Sequence, residues 1–145
     1  MHTAARILVL CTGNSCRSQI AEAYLRYFGG GRLDVRSAGL ESHGLNPYAV
    51  KAMKEDGIDI TDHTSDVVSD DMMQWASLVI TVCGHADRNC PALPGNVEKR
   101  HIPFDDPAKY KGADNEVMPK FRTVRDQIRK AMLGLVWELE QSSVV

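Results

Sequence analysis

The sequence predicts an α/β fold in a single domain. Short apolar runs typical of strands alternate along the chain with segments of helical spacing, and this alternation implies parallel strands joined by right-handed crossovers. A length of 145 residues suits one domain with a substantial core. Because no repeat, low-complexity tract or linker divides the chain, we expect one domain spanning residues 1–145.

Four segments are predicted to be strands, because each is short and is followed by turn residues. In chain order they are residues 6–10, 33–37, 78–82 and 99–102. The third is the clearest, since it reads Leu-Val-Ile-Thr-Val and is dominated by β-branched side chains. The fourth has the weakest pattern.

Four segments are predicted to be helices. In chain order they are residues 18–28, a segment from Asn46-Pro47 to Gly57, residues 70–75, and residues 115–141. The first and the last repeat apolar residues every three to four positions, which is the stripe of a core-facing helix. The second begins with a capping asparagine and a proline at its first helical position. Residues 59–69 and 84–96 are predicted to be irregular.

The predicted topology brings three reactive groups to one edge of the sheet. Sites in parallel α/β sheets lie outside the carboxyl ends of the strands. Cys11 follows the first predicted strand, Cys83 follows the third, and Asp106 follows the fourth. We therefore expect these three side chains to converge.

The stretch from Cys11 to Ser18 has the layout of an oxyanion cradle, with a cysteine, five residues and an arginine. Backbone N–H groups of such a loop wrap a tetrahedral anion. Cys11 is the predicted nucleophile, Arg17 would clamp two oxygens with its planar fork, and the Ser18 hydroxyl would hold the sulfur as a thiolate. The predicted anion-binding residues are Thr12, Gly13, Asn14, Ser15, Cys16 and Arg17. The alternative is a buried cysteine in a glycine-containing turn.

The conformation and charge of this loop lead to two further expectations. Gly13 and Asn14 are residue types that tolerate positive backbone angles. The backbone amides, Arg17 and the helix dipole should lower the pKa of Cys11 into the range of roughly 3.5–7.5 that is typical of such settings.

The stretch resembles the active-site loop of low-molecular-weight protein tyrosine phosphatases. With Ser15-Cys16-Arg17-Ser18-Gln19 it more closely resembles the thioredoxin-coupled arsenate reductases of that family. The resemblance covers nearly the whole chain and implies a four-stranded parallel sheet with helices on both faces. It favours Asp106 over Asp105 as the general acid, because the acid of the family directly precedes a proline.

Cys83 and Cys90 decide between reduction and hydrolysis. A phosphatase hydrolyses a cysteinyl-phosphate and has no use for them, whereas an arsenate reductase must supply two electrons. The resemblance implies that Cys11 attacks arsenate and that Cys83 then attacks the Cys11 sulfur and releases arsenite. Cys90 would next form a Cys83–Cys90 disulfide for thioredoxin to reduce. A glutaredoxin-type donor is the alternative to thioredoxin.

Two other functions stay open at this point. One is a phosphomonoester hydrolase that uses the same loop. Ala108 argues against a phosphotyrosine substrate, because phosphatases that resemble this chain usually carry aromatic residues just after the Asp-Pro pair. The other is a zinc-binding or redox-sensing regulator, since Cys83, His85 and Cys90 are all zinc-ligand types.

The resemblance also implies a cation site behind the loop. Asn14, Glu22, Ser37 and Asp66 match positions that hold a potassium ion in some relatives, and oxygen ligands suit such a hard cation. The alternative is an ordinary hydrogen-bond network that orients Asn14. No cofactor is required by the predicted chemistry.

Composition limits the partners and the compartment. A formal net charge of -2 argues against nucleic acid as the main partner. We expect no signal peptide and no membrane span, because no long apolar run is present. The chain is therefore predicted to be cytoplasmic, where its four cysteines would be kept reduced, and to be a monomer.

Overall fold

The computed structural model describes residues 5–142. The strands, in chain order, are β1 (Ala5–Cys11), β2 (Leu33–Gly39), β3 (Leu78–Thr81) and β4 (Glu98–His101). The helices are α1 (Arg17–Gly29), α2 (Pro47–Glu55), α3 (Asp70–Trp75), α4 (Gly84–Arg88) and α5 (Asp114–Gln141). Short 3-10 turns span Gly30–Arg32 and Pro107–Lys109.

The four strands form one parallel sheet in the order β2-β1-β3-β4. The predicted α/β fold, a four-stranded parallel sheet flanked by helices on both faces, is confirmed. β1 is the central strand, and its apolar residues from Ile7 to Leu10 are fully buried because the sheet is covered on both sides. Residues 5–142 thus form one domain.

Strand order places the site. The chain runs from β1 outward to β2 on one side and later to β3 on the other, so the direction of winding reverses next to β1. Such a reversal leaves a crevice at the carboxyl ends of the strands. In the register of the sheet, Cys11 lies beside Gly39 of β2, and Leu10 lies beside Thr81 of β3. Cys11 therefore ends its strand in that crevice.

α5 packs against α1 and α2. Its predicted stripe is confirmed, because the residues at this spacing are buried. They are Val117, Phe121, Val124, Ile128, Met132 and Leu135. The asparagine cap of α2 is also confirmed, since Asn46 Oδ1 accepts from the backbone N–H of Tyr48 at 2.8 Å.

The prediction of an irregular segment at residues 84–96 is wrong in its first part, where α4 forms. Cys83 caps this helix, because its sulfur accepts a hydrogen bond from the backbone N–H of Ala86 at 3.4 Å. A helix of five residues is too short to show helical periodicity, so the sequence pattern could not reveal it. Within α4, Ala86 is fully buried.

Within residues 5–142, none of the helices combines the length and the apolar character that crossing a membrane requires.

Candidate active site

The loop between β1 and α1 has the conformation of a tight cradle. Asn14 has a φ of 47° and is the one non-glycine residue with positive φ among the described residues. The expectation for Asn14 is therefore confirmed. Gly13 is different, because its φ is not in the left-handed region. A Cβ on Gly13 would collide with the exposed imidazole of His43, so a larger residue there would require His43 to move.

The buried side chain of Asn14 holds the loop from behind. Its Nδ2 donates to the hydroxyl oxygens of Ser18 and Ser37, at 2.9 Å each. Its Oδ1 accepts from the backbone N–H of Asp66 at 2.8 Å. These three bonds fix the amide, so the strained backbone of Asn14 is supported on every polar atom of its side chain.

Gln19 supports the same loop from the first turn of α1. Its Nε2 donates to the carbonyl oxygens of Asn14 at 3.0 Å and Thr64 at 2.9 Å. Its Oε1 lies 3.0 Å from Nδ1 of His63, and the amide is fully buried. The segment at residues 63–66 is thereby tied to the loop.

A cavity of about 240 Å³ opens in front of the loop. Its lining residues are Cys11, Thr12, Gly13, Ser15, Cys16, Arg17, His43, Asp106 and Ala108. This volume is below the ~300–1,000 Å³ of clefts that hold drug-sized ligands, so the cavity suits a small ion. The predicted convergence of Cys11 with Asp106 is therefore present in the structure.

Arg17 is held in position between the loop and the segment after β4. Its Nη1 donates to the carbonyl oxygen of Phe104 at 3.1 Å, and its Nη2 lies 3.8 Å from Oδ2 of Asp106. The guanidinium is mostly buried, so its charge is weakly screened at the cavity. This arrangement presents a cation and a carboxyl group to the same small space.

The two neighbouring aspartates have different surroundings. Asp106 lines the cavity, and its Oδ1 accepts from the backbone N–H of Ala108 at 2.9 Å. Asp105 instead pairs with Lys109 at 2.5 Å and accepts from the hydroxyl of Tyr110 at 3.0 Å. Because Asp105 is absent from the cavity wall, the geometry favours Asp106 as the acid.

All four cysteines are free thiols, and Cys11 and Cys83 are neighbours at the carboxyl ends of β1 and β3. Cys83 lies directly beyond β3, and the Oγ1 of Thr12 is 3.4 Å from its Sγ. Cys11 is buried nearby, and each of the two thiols shifts the pKa of the other. Cys90 lies past the end of α4 and is partly exposed.

The two neighbouring thiols do not divide their charge as the sequence predicts. Cys11 lowers the pKa of Cys83 to about 4, with further lowering by the Thr12 hydroxyl, the Ala86 amide and the charge of Arg17. Cys83, together with burial, raises the pKa of Cys11. The expectation of a low pKa for Cys11 is wrong for this reduced arrangement. Neighbouring thiols titrate as a coupled pair, and Cys83 has the hydrogen-bond donors that hold a negative charge.

The other two thiols are neutral at physiological pH. Burial raises the pKa of Cys16 to about 12, and the nearby carboxylate of Asp106 adds to this effect. Burial also raises the pKa of Cys90. Reactive thiols are those held as thiolates, so Cys16 is a poor nucleophile despite its place in the loop.

Ser18 is buried, and its hydroxyl oxygen accepts from Asn14 at 2.9 Å. Across residues 5–142, no hydrogen bond joins Ser18 to Cys11, so its role toward the sulfur stays a prediction. A hydrogen bond from the backbone N–H of Thr12 acts to lower the pKa of Cys11.

The predicted cation residues lie together behind the loop. Glu22, Ser37 and Asp66 line a second cavity of about 250 Å³. Their oxygens already have protein partners, since Ser37 donates to Glu22 at 2.5 Å and Glu22 pairs with Arg26 at 2.9 Å. The amide oxygen of Asn14 is taken by Asp66, so the set is complete as a hydrogen-bond network. Potassium binding stays a prediction.

The zinc alternative has no geometric support. Among the described residues, no group of three or more His, Cys, Asp or Glu side chains is arranged to hold a metal ion. His85 instead lies near Asn89, with 3.5 Å between its Nδ1 and the amide nitrogen.

Sequence reasoning missed two contributors to the site. His43 forms part of the cavity wall and lies 2.8 Å from Oε2 of Glu41. Its position shortly after β2 was the available signal, because the carboxyl end of that strand faces the same crevice. Thr12 was expected to offer only its backbone amide, whereas its hydroxyl contacts Cys83. Nothing in the sequence indicates that contact.

Known proteins resemble this chain both in sequence and in fold. The chain matches the family described as low molecular weight phosphotyrosine protein phosphatase over residues 6–144. An arsenate reductase of Halalkalibacterium halodurans is 56% identical over 124 residues, covering 86% of this chain and 89% of that protein. An arsenate reductase of Bacillus subtilis is 52% identical over 122 residues, covering 84% and 88%.

Solved structures show the same fold with two activities in their descriptions. An arsenate reductase in its phosphate-binding state is 33% identical, with a TM-score of 0.72 over 92% of this chain and 98% of that one. The arginine phosphatase YwlE from Geobacillus stearothermophilus is 25% identical, with a TM-score of 0.79 over 97% of this chain and 96% of that one. Sequence, fold and loop geometry agree, and the chain belongs to the low molecular weight phosphotyrosine protein phosphatase family.

Proposed function

We propose that this protein is an arsenate reductase that draws the two electrons from its own thiols. The observation that carries the proposal is the proximity of Cys83 to Cys11, which lines the cavity together with Arg17 and Asp106. A hydrolase needs one nucleophilic thiol, and a reductase needs a second thiol within reach of the first. The similarity to proteins named arsenate reductase supports the same activity.

In the first step, Cys11 bonds to the arsenic atom. The thiol proton of Cys11 passes to an oxygen of the bound arsenate as the sulfur–arsenic bond forms. Arg17 and the loop amides bind the oxyanion. Asp106 donates a proton to one arsenate oxygen, which leaves as water.

In the second step, arsenic is reduced. The Cys83 thiolate attacks the Cys11 sulfur, so a Cys11–Cys83 disulfide forms. The electron pair of the sulfur–arsenic bond passes to arsenic, which changes from the +5 to the +3 state and leaves as arsenite. The thiols have then lost two electrons, and the balance is complete.

In the third step, Cys90 attacks Cys83 and Cys11 leaves as a thiolate. This step requires α4 to open. Cys83 and Cys90 lie seven positions apart on either side of α4, which corresponds to about 10 Å of helical rise. A disulfide needs Cα atoms within roughly 6.8 Å, so the helix and the bond are incompatible. Opening α4 carries the Cys83–Cys90 disulfide toward the surface.

An external dithiol must then reduce that disulfide, and we assign this role to thioredoxin. The reaction takes place in the cytoplasm, where the free thiols would be kept reduced. Every residue named in the steps belongs to one chain, so a monomer suffices. No cofactor enters the scheme.

Hydrolysis of phosphomonoesters is the second candidate function. The loop, Arg17 and Asp106 are sufficient for it, and the arginine phosphatase YwlE has a similar fold. Ala108 forms the cavity wall beside Asp106, so no aromatic side chain directly follows Pro107 to hold a tyrosine ring. This observation favours a small inorganic oxyanion over an aryl ester.

A coupled assay separates the two functions. Oxidation of NADPH is followed with thioredoxin and thioredoxin reductase in the presence of arsenate, and hydrolysis of an aryl phosphate is measured on the same preparation. The proposal predicts sustained arsenate-dependent turnover that exceeds hydrolysis. The matched variants are Cys83→Ser and Cys90→Ser, which should both stop turnover. Cys90→Ser keeps the cavity and both inner thiols, so it should leave any hydrolysis unchanged. Sustained turnover in either variant contradicts the proposal.

A further inference from the structure

α4 is too short to be stable by itself. Its five residues form few intrahelical hydrogen bonds, and isolated helices of this length do not persist in water. Contacts with the sheet must therefore keep it folded. Ala86 supplies one such contact because it is fully buried. Another comes from Asp87, which lies between Cys83 and Cys90 in the sequence.

The carboxylate of Asp87 is bound from two strands. The hydroxyl of Thr81, at the end of β3, donates to Oδ1 of Asp87 at 3.0 Å. The ammonium group of Lys99, on β4, lies 2.9 Å from the same oxygen. Thr81 is fully buried, so the carboxylate reaches the floor of the helix–sheet interface.

Lys99 also satisfies the backbone of α4. Its Nζ donates to the carbonyl oxygen of Asp87 at 3.2 Å. That carbonyl has no helical partner, because the residue four positions later is Pro91, which lacks an N–H group. One lysine therefore binds both the side chain and the main chain of Asp87.

His101 completes the cluster. Its Nδ1 lies 2.9 Å from the hydroxyl of Thr81 and 3.8 Å from Oδ1 of Asp87. Because the Thr81 hydroxyl gives its proton to Asp87, the imidazole donates to Thr81. Hydrogen bonds from Lys99 and Thr81 lower the pKa of Asp87, so its carboxylate is held in the charged form.

We propose that Asp87 is a positioning residue, the latch that holds α4 in its helical, reduced conformation and opens when the Cys83–Cys90 disulfide forms. The proposal rests on the proposed function for its biological role. In the third step of the proposed mechanism, the Cys90 thiolate bonds to Cys83 while the Cys11–Cys83 bond breaks and Cys11 leaves as a thiolate. No external oxidant is needed, because one disulfide replaces another.

The latch has a thermodynamic consequence. Its contacts exist when α4 is helical and are lost when the disulfide forces α4 open. Removing the latch therefore destabilises the dithiol form and leaves the disulfide form unchanged, so the thiol–disulfide equilibrium moves toward the disulfide. For a half-exposed ion pair with one additional hydrogen bond, we expect a shift of roughly fivefold, which corresponds to about 20 mV for a two-electron couple.

The test uses the full-length chain with Cys11→Ser and Cys16→Ser, so that Cys83 and Cys90 form the only thiol pair. Protein is equilibrated in glutathione redox buffers, alkylated and quantified by mass spectrometry. Asp87→Asn should raise the ratio of disulfide to dithiol about fivefold. Thermal unfolding should show a lower Tm for the reduced form of this variant and an unchanged Tm for its oxidised form.

Glu98→Gln is the matched control. Glu98 lies on β4 and pairs with Arg100 on the same strand, so it should leave the equilibrium unchanged. If Asp87→Asn fails to fold, Lys99→Met provides the second variant, with a smaller shift in the same direction. Equal loss of stability in both redox forms, or no shift in the ratio, overturns the latch. Because no arsenate is present, this outcome is independent of whether arsenate turnover occurs.

Discussion

Replacing Thr12 by valine tests how the charge of the thiol pair is placed. The Thr12 hydroxyl lies 3.4 Å from the sulfur of Cys83, and valine has a similar shape without the donor. A hydrogen bond to a charged group is worth about 1.5–3 kcal/mol. The long distance to sulfur puts this bond at the lower limit, and one pKa unit corresponds to about 1.4 kcal/mol. Thr12→Val should therefore raise the pKa of Cys83 by about one unit.

The measurement is the rate of alkylation of Cys83 by iodoacetamide as a function of pH, with peptide mass spectrometry to separate its signal from that of Cys11. Cys16→Ser and Cys90→Ser in the same chain remove competing thiols. The control is Thr12→Ser, which keeps the hydroxyl and should keep the midpoint of about 4 that the native surroundings give. An unchanged midpoint in Thr12→Val, or an equal shift in both variants, refutes the assigned role of the hydroxyl.

Three further outcomes follow from the site. Asp106→Asn should lower kcat for arsenate by about 10²–10⁴-fold with little change in oxyanion binding, as measured by steady-state kinetics and by calorimetry with phosphate, because the acid and not the anion cradle is lost. The pKa of Cys83 is lowered to about 4 in the folded protein from a value near 9 in the unfolded chain. Its ionisation therefore stabilises the reduced protein fully above pH ~9, and this stabilisation is lost as the pH falls through about 4. Chemical denaturation should show that Cys83→Ala costs more stability at pH 8 than at pH 4, and an equal cost at both pH values contradicts the lowered pKa. Potassium chloride should raise the Tm above that in equimolar sodium chloride if Glu22, Ser37 and Asp66 bind the ion, and Glu22→Gln should abolish the difference; equal Tm values in both salts support the hydrogen-bond network alone.

The sequence is informative about the site wherever a strand ends. Cys11 and Asp106 meet because parallel strands bring their carboxyl ends to one edge, and this follows from topology without side-chain detail. The apolar stripe of α5 is equally legible, since buried residues recur at helical spacing over its length. Strand ends and helical burial patterns can be recognised in a single sequence, because each depends on a local or periodic pattern of residues.

Contacts between distant side chains are not recorded in this way. The hydroxyl of Thr12 reaches Cys83 across 71 positions of sequence, and that contact helps to decide which thiol carries the charge. The five residues of α4 are folded by tertiary anchors, among them Asp87, so helical periodicity could not reveal them. The loop alone predicts a lowered pKa for Cys11, whereas a neighbour beyond the end of another strand, Cys83, raises it.

The relay of electrons from Cys11 to Cys83 is tested most directly with Cys90→Ser. This variant keeps the cavity and the first two thiols and lacks the third. Mixed with excess arsenate and no external reductant, it should release one arsenite per protein and accumulate a Cys11–Cys83 disulfide that tryptic peptide mapping identifies. The Cys83→Ser protein should release none. Arsenite release by Cys83→Ser, or a reduced Cys11 in the Cys90→Ser product, contradicts the relay.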